Sequence, residues 1–241
     1  MGNDGHGKES KGIEDIFSIH IKQDELAKRL GGGLPRGAIV LIEGVEGSGR
    51  SVLCQRLAYG TLNNGASVTY ISTELTMREF IDQMYSLSYK ISDHLISGKL
   101  VFVPVYPLLG NSRPRGDFLS KLVNTPNLYD RDLLIVDTIS ALAQDKLDQE
   151  SGMALVAFLK KMARLGKTIV LSGEPSFAGL ASVRLAADVY LSLDMKVTGG
   201  GINRTVGVKR FLRARMEVGE AFRYRIEPKV GMVIEITEVS G

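Results

Sequence analysis

Three glycines within positions 44–49 separate two regular patterns, and this feature constrains the local structure more than any other. An apolar run at 38–42 precedes them and a helical pattern starts at Ser51. Residues 44–51 read Gly-Val-Glu-Gly-Ser-Gly-Arg-Ser, the spacing G-x-x-x-x-G-K-[ST] with Arg50 in the place of Lys. Glycines let successive backbone N–H groups converge on a phosphate, and the helix N-terminus adds positive charge. The pattern predicts a phosphate-binding loop; the alternative is a Gly-rich turn that binds nothing.

Two residues at the end of this loop bring side-chain chemistry. The hydroxyl of Ser51 is placed to hold Mg²⁺, a cation that takes oxygen ligands and keeps several waters. Arg50 keeps the charge of the usual Lys, but its guanidinium is a planar fork on a longer stem. We therefore expect the loop to bind a triphosphate and to hydrolyse it slowly.

An aspartate follows a second apolar strand. Asp137 ends the run Leu-Leu-Ile-Val-Asp at 133–137. The carboxyl ends of parallel strands are where α/β sheets place ligands, and a phosphate loop requires an acidic partner for its metal. Asp137 is thus predicted to hold Mg²⁺, directly or through water. The alternative is that it caps the turn that follows.

Two further strand ends carry acidic residues. Glu74 follows the strand predicted at 67–72 and could accept a proton from, or orient, an attacking water. It could equally be a helix-start acid stabilised by the helix dipole. Ser172 and Glu174 end the strand predicted at 167–172, where they could sense the terminal phosphate or form a polar turn before Pro175.

A basic strand lies late in the chain. Lys209, Phe211, Arg213 and Arg215 alternate with Arg210, Leu212 and Ala214. Such a strand could supply a cation to a nucleotide held by a neighbouring subunit, the role of an arginine finger. Two alternatives are a solvated edge strand that resists aggregation by its charge and a groove for nucleic acid.

Composition excludes several classes of protein. Lys plus Arg exceeds Asp plus Glu by 30 − 27 = 3, too small an excess to imply nucleic-acid binding by itself. The single cysteine, Cys54, excludes an internal disulfide and a cysteine metal cluster, and we expect it in the core. The sequence has no apolar run long enough for a membrane span, and the polar residues 1–12 do not resemble a secretory signal. We expect residues 1–12 to be disordered and the protein to be cytoplasmic.

Strand and helix patterns alternate through the first 175 residues. This order predicts parallel βαβ units with right-handed crossovers. Residues 106–115 are expected to form an exposed loop, and helices are expected at 116–123 and 153–165. Four strands then follow at 188–194, 204–212, 221–227 and 231–237, which indicates an antiparallel extension at one edge of the sheet. We expect one α/β domain over residues 13–241.

With these residues in view, the chain resembles the RecA superfamily, specifically its KaiC-like branch. Four segments carry the resemblance: Gly-Gly-Leu-Pro-Arg-Gly at 32–37, the loop at 44–51, Tyr-Ile-Ser-Thr-Glu at 70–74 and Leu-Leu-Ile-Val-Asp-Thr at 133–138. Within that branch the chain looks most like the FlaH family, ATP-binding proteins of the archaeal motility filament, the archaellum. The segments Ser-Thr-Glu-Leu-Thr at 72–76 and Glu-Pro-Lys-Val-Gly-Met at 227–232 prompt this comparison.

The resemblance implies a RecA-like core and a set of site residues. The phosphates would be bound by Gly47, Ser48, Gly49, Arg50, Ser51 and Val52. Ser51 and Asp137 would hold the Mg²⁺ of the bound ATP, and Glu74 would match the catalytic glutamate. A cation among Lys209, Arg210 and Arg213 would act in trans.

The resemblance also implies partners. It suggests a hexameric or other ring-forming ATP binder with weak or no turnover. This ring would dock onto the archaellum motor ATPase, its membrane platform and cytoplasmic ring components from the cytoplasmic side, without inserting into the membrane. Two rival hypotheses are an active KaiC-like ATPase or autokinase and a recombinase-like DNA-binding ATPase.

Overall fold

A computed structural model describes residues 15–105, 118–140, 149–199 and 201–235. The strands are β1 Ile16–Ser18, β2 Gly33–Pro35, β3 Ile39–Gly44, β4 Val68–Ser72, β5 Leu100–Pro104, β6 Leu133–Asp137, β7 Thr168–Gly173, β8 Val189–Thr198, β9 Gly201–Phe211, β10 Ala221–Glu227 and β11 Gly231–Ile234. The α-helices are α1 Leu26–Arg29, α2 Arg50–Asn63, α3 Met77–Ser86, α4 Ser92–Ile96, α5 Phe118–Asn124, α6 Gln149–Arg164 and α7 Ala181–Ala186. Short 3₁₀ helices span Pro126–Tyr129 and Ala178–Leu180.

The main sheet combines a parallel core with an antiparallel edge. Its order is β11-β10-β9-β8-β3-β7-β6-β4-β5. From β8 to β5 every neighbouring pair is parallel, whereas β8 to β11 form an antiparallel series. The predicted fold class, a mainly parallel sheet with antiparallel C-terminal strands, is therefore confirmed.

The strand β3 shows how the sheet separates two apolar layers. Val40 and Ile42 face one cluster of buried side chains, which includes Leu53 and Leu57 of α2. The alternate residues 39 and 41 face a second cluster that contains Leu155 and Leu159 of α6. Because both faces of a central parallel strand are covered, its residues are apolar without alternation. This is the run of apolar residues that precedes the loop in the sequence.

A buried ion pair ties the start of the chain to α2. Arg56 donates through Nε and Nη2 to the two carboxylate oxygens of Asp24, at 2.5 and 2.7 Å. Its third nitrogen, Nη1, donates to the carbonyl of Ile19 at 2.9 Å. A buried guanidinium needs such partners, since an unpaired buried charge is strongly destabilising. The pair fixes the segment before β2 against the helix that leaves the loop.

Several element boundaries differ from the predicted ones. The helix α6 begins at Gln149, not at residue 153, and β9 begins at Gly201, not at residue 204. A capping box opens α3, because Thr76 accepts from the amide of Glu79 and the Glu79 carboxylate accepts from the amide of Thr76. Cys54 is buried, as expected for a core residue. The tail 1–12 and the loop 106–115 lie outside the described residues.

None of the helices in the described ranges combines the length and the apolar character that crossing a bilayer requires.

Candidate nucleotide site at the carboxyl edge of the sheet

The glycines of the loop at 44–51 adopt conformations that other residues rarely reach. Gly47 and Gly49 have φ of +75° and +92°. Gly49 is also the N-cap of α2, and no side chain caps the first turn of this helix. The amides at the start of α2 are thus left for another acceptor, as in helix N-termini that bind anions. They border an open cleft of about 590 Å³ whose lining includes Ser51, Glu74, Thr138 and Glu174.

Asp137 is the centre of a buried hydrogen-bond network beneath this loop. Its Oδ1 accepts from the hydroxyls of Ser51 at 3.1 Å and Ser172 at 2.9 Å, and its Oδ2 accepts from Tyr70 at 2.8 Å. Burial raises the pKa of Asp137, while the hydrogen bonds from Tyr70, Ser172 and Ser51 and the charge of Arg50 lower it; burial has the larger effect. An aspartate buried with so little compensating charge is suited to receive a cation.

The residues at the loop fit a magnesium–triphosphate ligand. The Nη1 atom of Arg50 is buried and has no hydrogen-bond partner among the described residues. A buried guanidinium nitrogen left unpaired is costly, and a phosphate oxygen would satisfy it. Ser51 and Asp137 supply adjacent oxygen atoms for Mg²⁺, which leaves its other coordination positions to phosphate and water.

Two carboxylates face the cleft from neighbouring strand ends. Glu74 is exposed at the rim of the cleft, and desolvation followed by the charge of Asp137 raises its pKa. Glu174 is also exposed and lies 3.9 Å from Nη2 of Arg50. The structure brings both acids to the loop, as their positions after β4 and β7 predict. Their chemical roles stay predictions.

Thr138 has a strained backbone at the same edge. Its φ is +64°, in the left-handed region that a β-branched residue seldom occupies. This conformation directs its amide onto the hydroxyl of Ser172, at 2.8 Å. Strain of this kind typically costs about 1–3 kcal/mol and concentrates at functional sites. Thr138 lines the cleft beside the loop.

The antiparallel extension contacts the loop, and sequence reasoning missed this. Tyr224 of β10 donates to the carbonyl of Ser48, and Arg204 of β9 donates through Nε to the carbonyl of Gly47 at 3.0 Å. A Cβ added to Gly49 would lie 3.0 Å from Ile226 Cδ1 and 3.0 Å from Tyr224 Oη. The local sequence around Tyr224 resembles any half-buried strand, so only the pairing of the strands reveals these contacts.

The basic strand differs from its predicted form. It was expected to extend with regular alternation through Arg215, but β9 ends at Phe211. Arg213 has a φ of +61°, which ends the extended conformation, and a register shift between Tyr190 and Leu191 of β8 makes Lys209 the extra residue of a bulge.

The three cations predicted to act in trans have different surroundings. Arg210 donates to the carbonyls of residues 184, 185 and 187 at the end of α7, and Arg213 donates to those of residues 36 and 37. Lys209 is exposed and has no hydrogen bond or ion pair among the residues that the structure describes. Its side chain faces the polar side of the antiparallel extension, with Asp194 and Arg223. The trans role stays a prediction.

Comparison with known proteins agrees with this architecture. The family model described as "ATPase: KaiC" matches residues 11–238. The archaeal flagellar ATP-binding protein FlaH of Methanocaldococcus jannaschii is 38% identical over 95% of this chain and 100% of its own length. The FlaH protein of Methanococcus voltae is 34% identical over 92% of this chain and 98% of its own length. The chain belongs to the KaiC-like ATPase family, within its FlaH group.

Solved structures give the same assignment. The crystal structure of the flagellar accessory protein FlaH from M. jannaschii superposes with a TM-score of 0.85, covering 92% of this chain and all of that one at 38% identity. A KaiC-like protein from Pyrococcus horikoshii has a TM-score of 0.72 over 91% of this chain and 98% of its own, at 19% identity. The second match shows the shared fold alone. The FlaH group thus provides the frame for interpreting the loop and its neighbours.

Proposed function

We propose that this chain is an ATP-binding subunit associated with the archaellum, and that it holds Mg-ATP in the loop at 44–51. The observation that carries the proposal is the hydrogen bond of 3.1 Å between Ser51 Oγ and Asp137 Oδ1, directly below an uncapped helix N-terminus. This arrangement joins the two oxygen atoms that a phosphate-bound Mg²⁺ requires. The FlaH relatives are archaeal flagellar ATP-binding proteins, which supports the choice of ATP and of the archaellum.

Each part of the loop has a separate task in this proposal. Residues 47–52 bind the phosphate oxygens through backbone amides other than that of Ser48, which donates to Val45, and Arg50 neutralises the phosphate charge. Ser51 and Asp137 hold the metal. When bound, Mg²⁺ would offset the negative charge of the phosphates. Asp137 keeps its orientation through the hydroxyls of Tyr70 and Ser172.

We propose that nucleotide occupancy regulates assembly with the motor and that hydrolysis is weak. The substitution of Arg50 for the usual Lys supports slow turnover, because the guanidinium fork fits the terminal phosphate differently from a compact ammonium. We propose that the exposed Lys209 reaches the nucleotide of a neighbouring copy in a homo-oligomer. The proposed partners are the motor ATPase and its membrane platform on the cytoplasmic face; the FlaH relatives support the association with the archaellum.

Titration calorimetry with ATP, in Mg²⁺ and in EDTA, tests the binding proposal. We expect micromolar affinity in Mg²⁺ and weaker binding in EDTA. A dissociation constant no better than millimolar in Mg²⁺ would reject it. Measuring the mass of the assembly with and without ATP then tests whether the nucleotide controls association; a mass that does not depend on ATP would reject that part.

A second candidate is an active KaiC-like ATPase or autokinase. Glu74 at the cleft favours it, because a carboxylate with a raised pKa can act as a base near neutral pH. Steady-state turnover near ~1 s⁻¹, abolished by Glu74→Gln, would support this candidate over the first. Turnover orders of magnitude slower would favour the binding role.

A further inference from the structure

Two side chains of the antiparallel extension bind two successive carbonyls of the phosphate loop. Arg204 Nε donates to Gly47 O at 3.0 Å, and Tyr224 Oη donates to Ser48 O. The donors are themselves neighbours, since Tyr224 of β10 is directly opposite Arg204 of β9 in the antiparallel register. One cross-strand pair therefore holds two consecutive peptide groups of the loop.

The planarity of the peptide bond gives this contact a consequence for ligand binding. In a trans peptide the carbonyl and the following N–H point in opposite directions. When Tyr224 fixes the carbonyl of Ser48, the amide of Gly49 must point away from β10. When Arg204 fixes the carbonyl of Gly47, the amide of Ser48 is directed onto the carbonyl of Val45, which it reaches at 3.1 Å. The first contact orients an amide of the loop, and the second supports the turn that shapes it.

Burial makes the Tyr224 contact difficult to break. Tyr224 is 1% exposed, and burial raises its pKa, so the phenol remains a protonated donor. If the loop moved away, the hydroxyl would be left buried without its acceptor, which is unfavourable. Ile226, on the same strand, lies beside Gly49 and lines the cleft.

We propose that Arg204 and Tyr224 are positioning residues that hold the loop in the conformation that binds a polyphosphate. The antiparallel extension would then determine nucleotide affinity, and a change in the pairing of β9 and β10 would alter it. This inference rests on the proposed function, because it requires the loop at 44–51 to bind phosphates. It concerns the phosphate groups and not the nucleobase.

The test measures the affinity of the full chain for Mg-ATP and for Mg-tripolyphosphate by calorimetry. Tripolyphosphate lacks base and ribose, so an affinity change shared by both ligands arises at the phosphates. We expect Tyr224→Phe to weaken both ligands about 5-fold and Arg204→Ala about 10-fold, from the typical value of one hydrogen bond. Arg204→Lys, which can still donate to Gly47 O, should restore most of the loss.

Arg223→Ala provides the matched control. Arg223 precedes Tyr224 on β10, faces the opposite side of the sheet and carries the same charge as Arg204. Its removal should leave both affinities within twofold. The melting temperature of each ligand-free variant shows whether it is folded. Hydrogen exchange of the loop amides in Tyr224→Phe provides a second measurement of how firmly the loop is held. We expect faster exchange of the Gly49 amide in the ligand-bound variant than in the unchanged protein.

The outcomes separate the inference from the proposed function. If the unchanged chain binds neither ligand, the proposed function fails and this inference fails with it. If the unchanged chain binds both ligands, and folded Tyr224→Phe and Arg204→Ala bind them equally well, the inference alone is overturned. A loss in Arg204→Ala that Arg204→Lys does not restore would assign Arg204 a role other than holding the carbonyl of Gly47.

Discussion

Ser51 Oγ lies 3.1 Å from Asp137 Oδ1, so the first turn of α2 and the end of β6 meet through a single hydrogen bond. In the proposed metal site, both oxygen atoms would become available to a cation once the Ser51 hydroxyl turned. Asp137 would contribute the charge, and Ser51 a neutral oxygen. The two side chains therefore have separable effects on metal and nucleotide binding.

Replacing Asp137 with Asn should remove the effect of Mg²⁺ on ATP binding. Asn keeps the volume of Asp and a carbonyl oxygen that can accept from Ser172, while its amide nitrogen takes the place of the oxygen that accepts from Tyr70. It lacks the charge that attracts the metal. We expect the affinity of Asp137→Asn in Mg²⁺ to fall at least ~10-fold and to equal its affinity in EDTA. Calorimetry in both buffers measures this. Asp93→Asn provides the control, because Asp93 is exposed on α4. An undiminished effect of Mg²⁺ in Asp137→Asn would place the metal elsewhere.

Two glycines have the same φ, so substituting each of them distinguishes the cost of backbone strain from the cost of crowding at the loop. Gly49 and Gly65 both have φ of +92°, but a Cβ at Gly65 would meet nothing within 4 Å, whereas one at Gly49 would press on Ile226 and Tyr224. Gly65→Ala should reduce the free energy of unfolding by about 1 kcal/mol from backbone strain. Gly49→Ala should lose about 3 kcal/mol, because crowding adds to strain, and should also abolish ATP binding.

Urea denaturation of both glycine variants, with calorimetry of the folded proteins, measures these effects. Equal losses of stability in the two variants would show that β10 does not restrain the loop. Normal ATP affinity in Gly49→Ala would contradict the importance of the loop conformation.

The sequence predicts the parallel core well, and it places the candidate site residues at the ends of its strands, because local patterns encode these positions. Asp137 follows four apolar residues, Ser51 follows the glycines, and the sheet order then brings these strand ends together. The contacts of Arg204 and Tyr224 depend on the register of strands distant in sequence, which no local pattern specifies. The expected alternation from Lys209 to Arg215 was wrong for a related reason, since a bulge and a left-handed Arg213 interrupt it.

The start of α6 and the strain at Thr138 also escaped prediction. The helix begins at Gln149, four residues before the predicted start, because the segment Gln-Glu-Ser-Gly lacks an apolar periodicity of its own. The left-handed conformation of Thr138 contradicts its intrinsic preference and exists because its amide bonds Ser172. Tertiary contacts override local propensity at both places.

Relieving the strain at Thr138 should stabilise the protein. Asn adopts the left-handed conformation at lower cost than a β-branched residue, so Thr138→Asn should raise the free energy of unfolding by about 1 kcal/mol. Because the backbone is retained, the amide still reaches Ser172 and ATP affinity should stay within twofold. Lys229, exposed with φ of +62°, provides the control, since Lys229→Asn should stabilise without any effect near the loop. A less stable Thr138→Asn would show that the hydroxyl and methyl contacts outweigh the strain.

The final prediction concerns turnover and connects Arg50 with Glu74. Arg50→Lys should keep ATP affinity, since the charge remains, and should raise the hydrolysis rate several-fold, because an ammonium fits the usual position at the terminal phosphate.

In the Arg50→Lys variant, kcat/KM should fall as the pH decreases through a value above 4.5, the ordinary pKa of a glutamate. The reason is that burial and the nearby Asp137 raise the pKa of Glu74 in the free protein. Protonated Glu74 cannot accept the proton of water, so turnover requires the higher-pH form. The rate of phosphate release, measured between about pH 5 and about pH 8, tests this, because carboxyl groups with a raised pKa titrate in that range. In the same background Glu74→Gln should abolish turnover while Glu46→Gln, an exposed loop carboxylate, should not. A pH profile that Glu74→Gln leaves unchanged would assign the base to another residue.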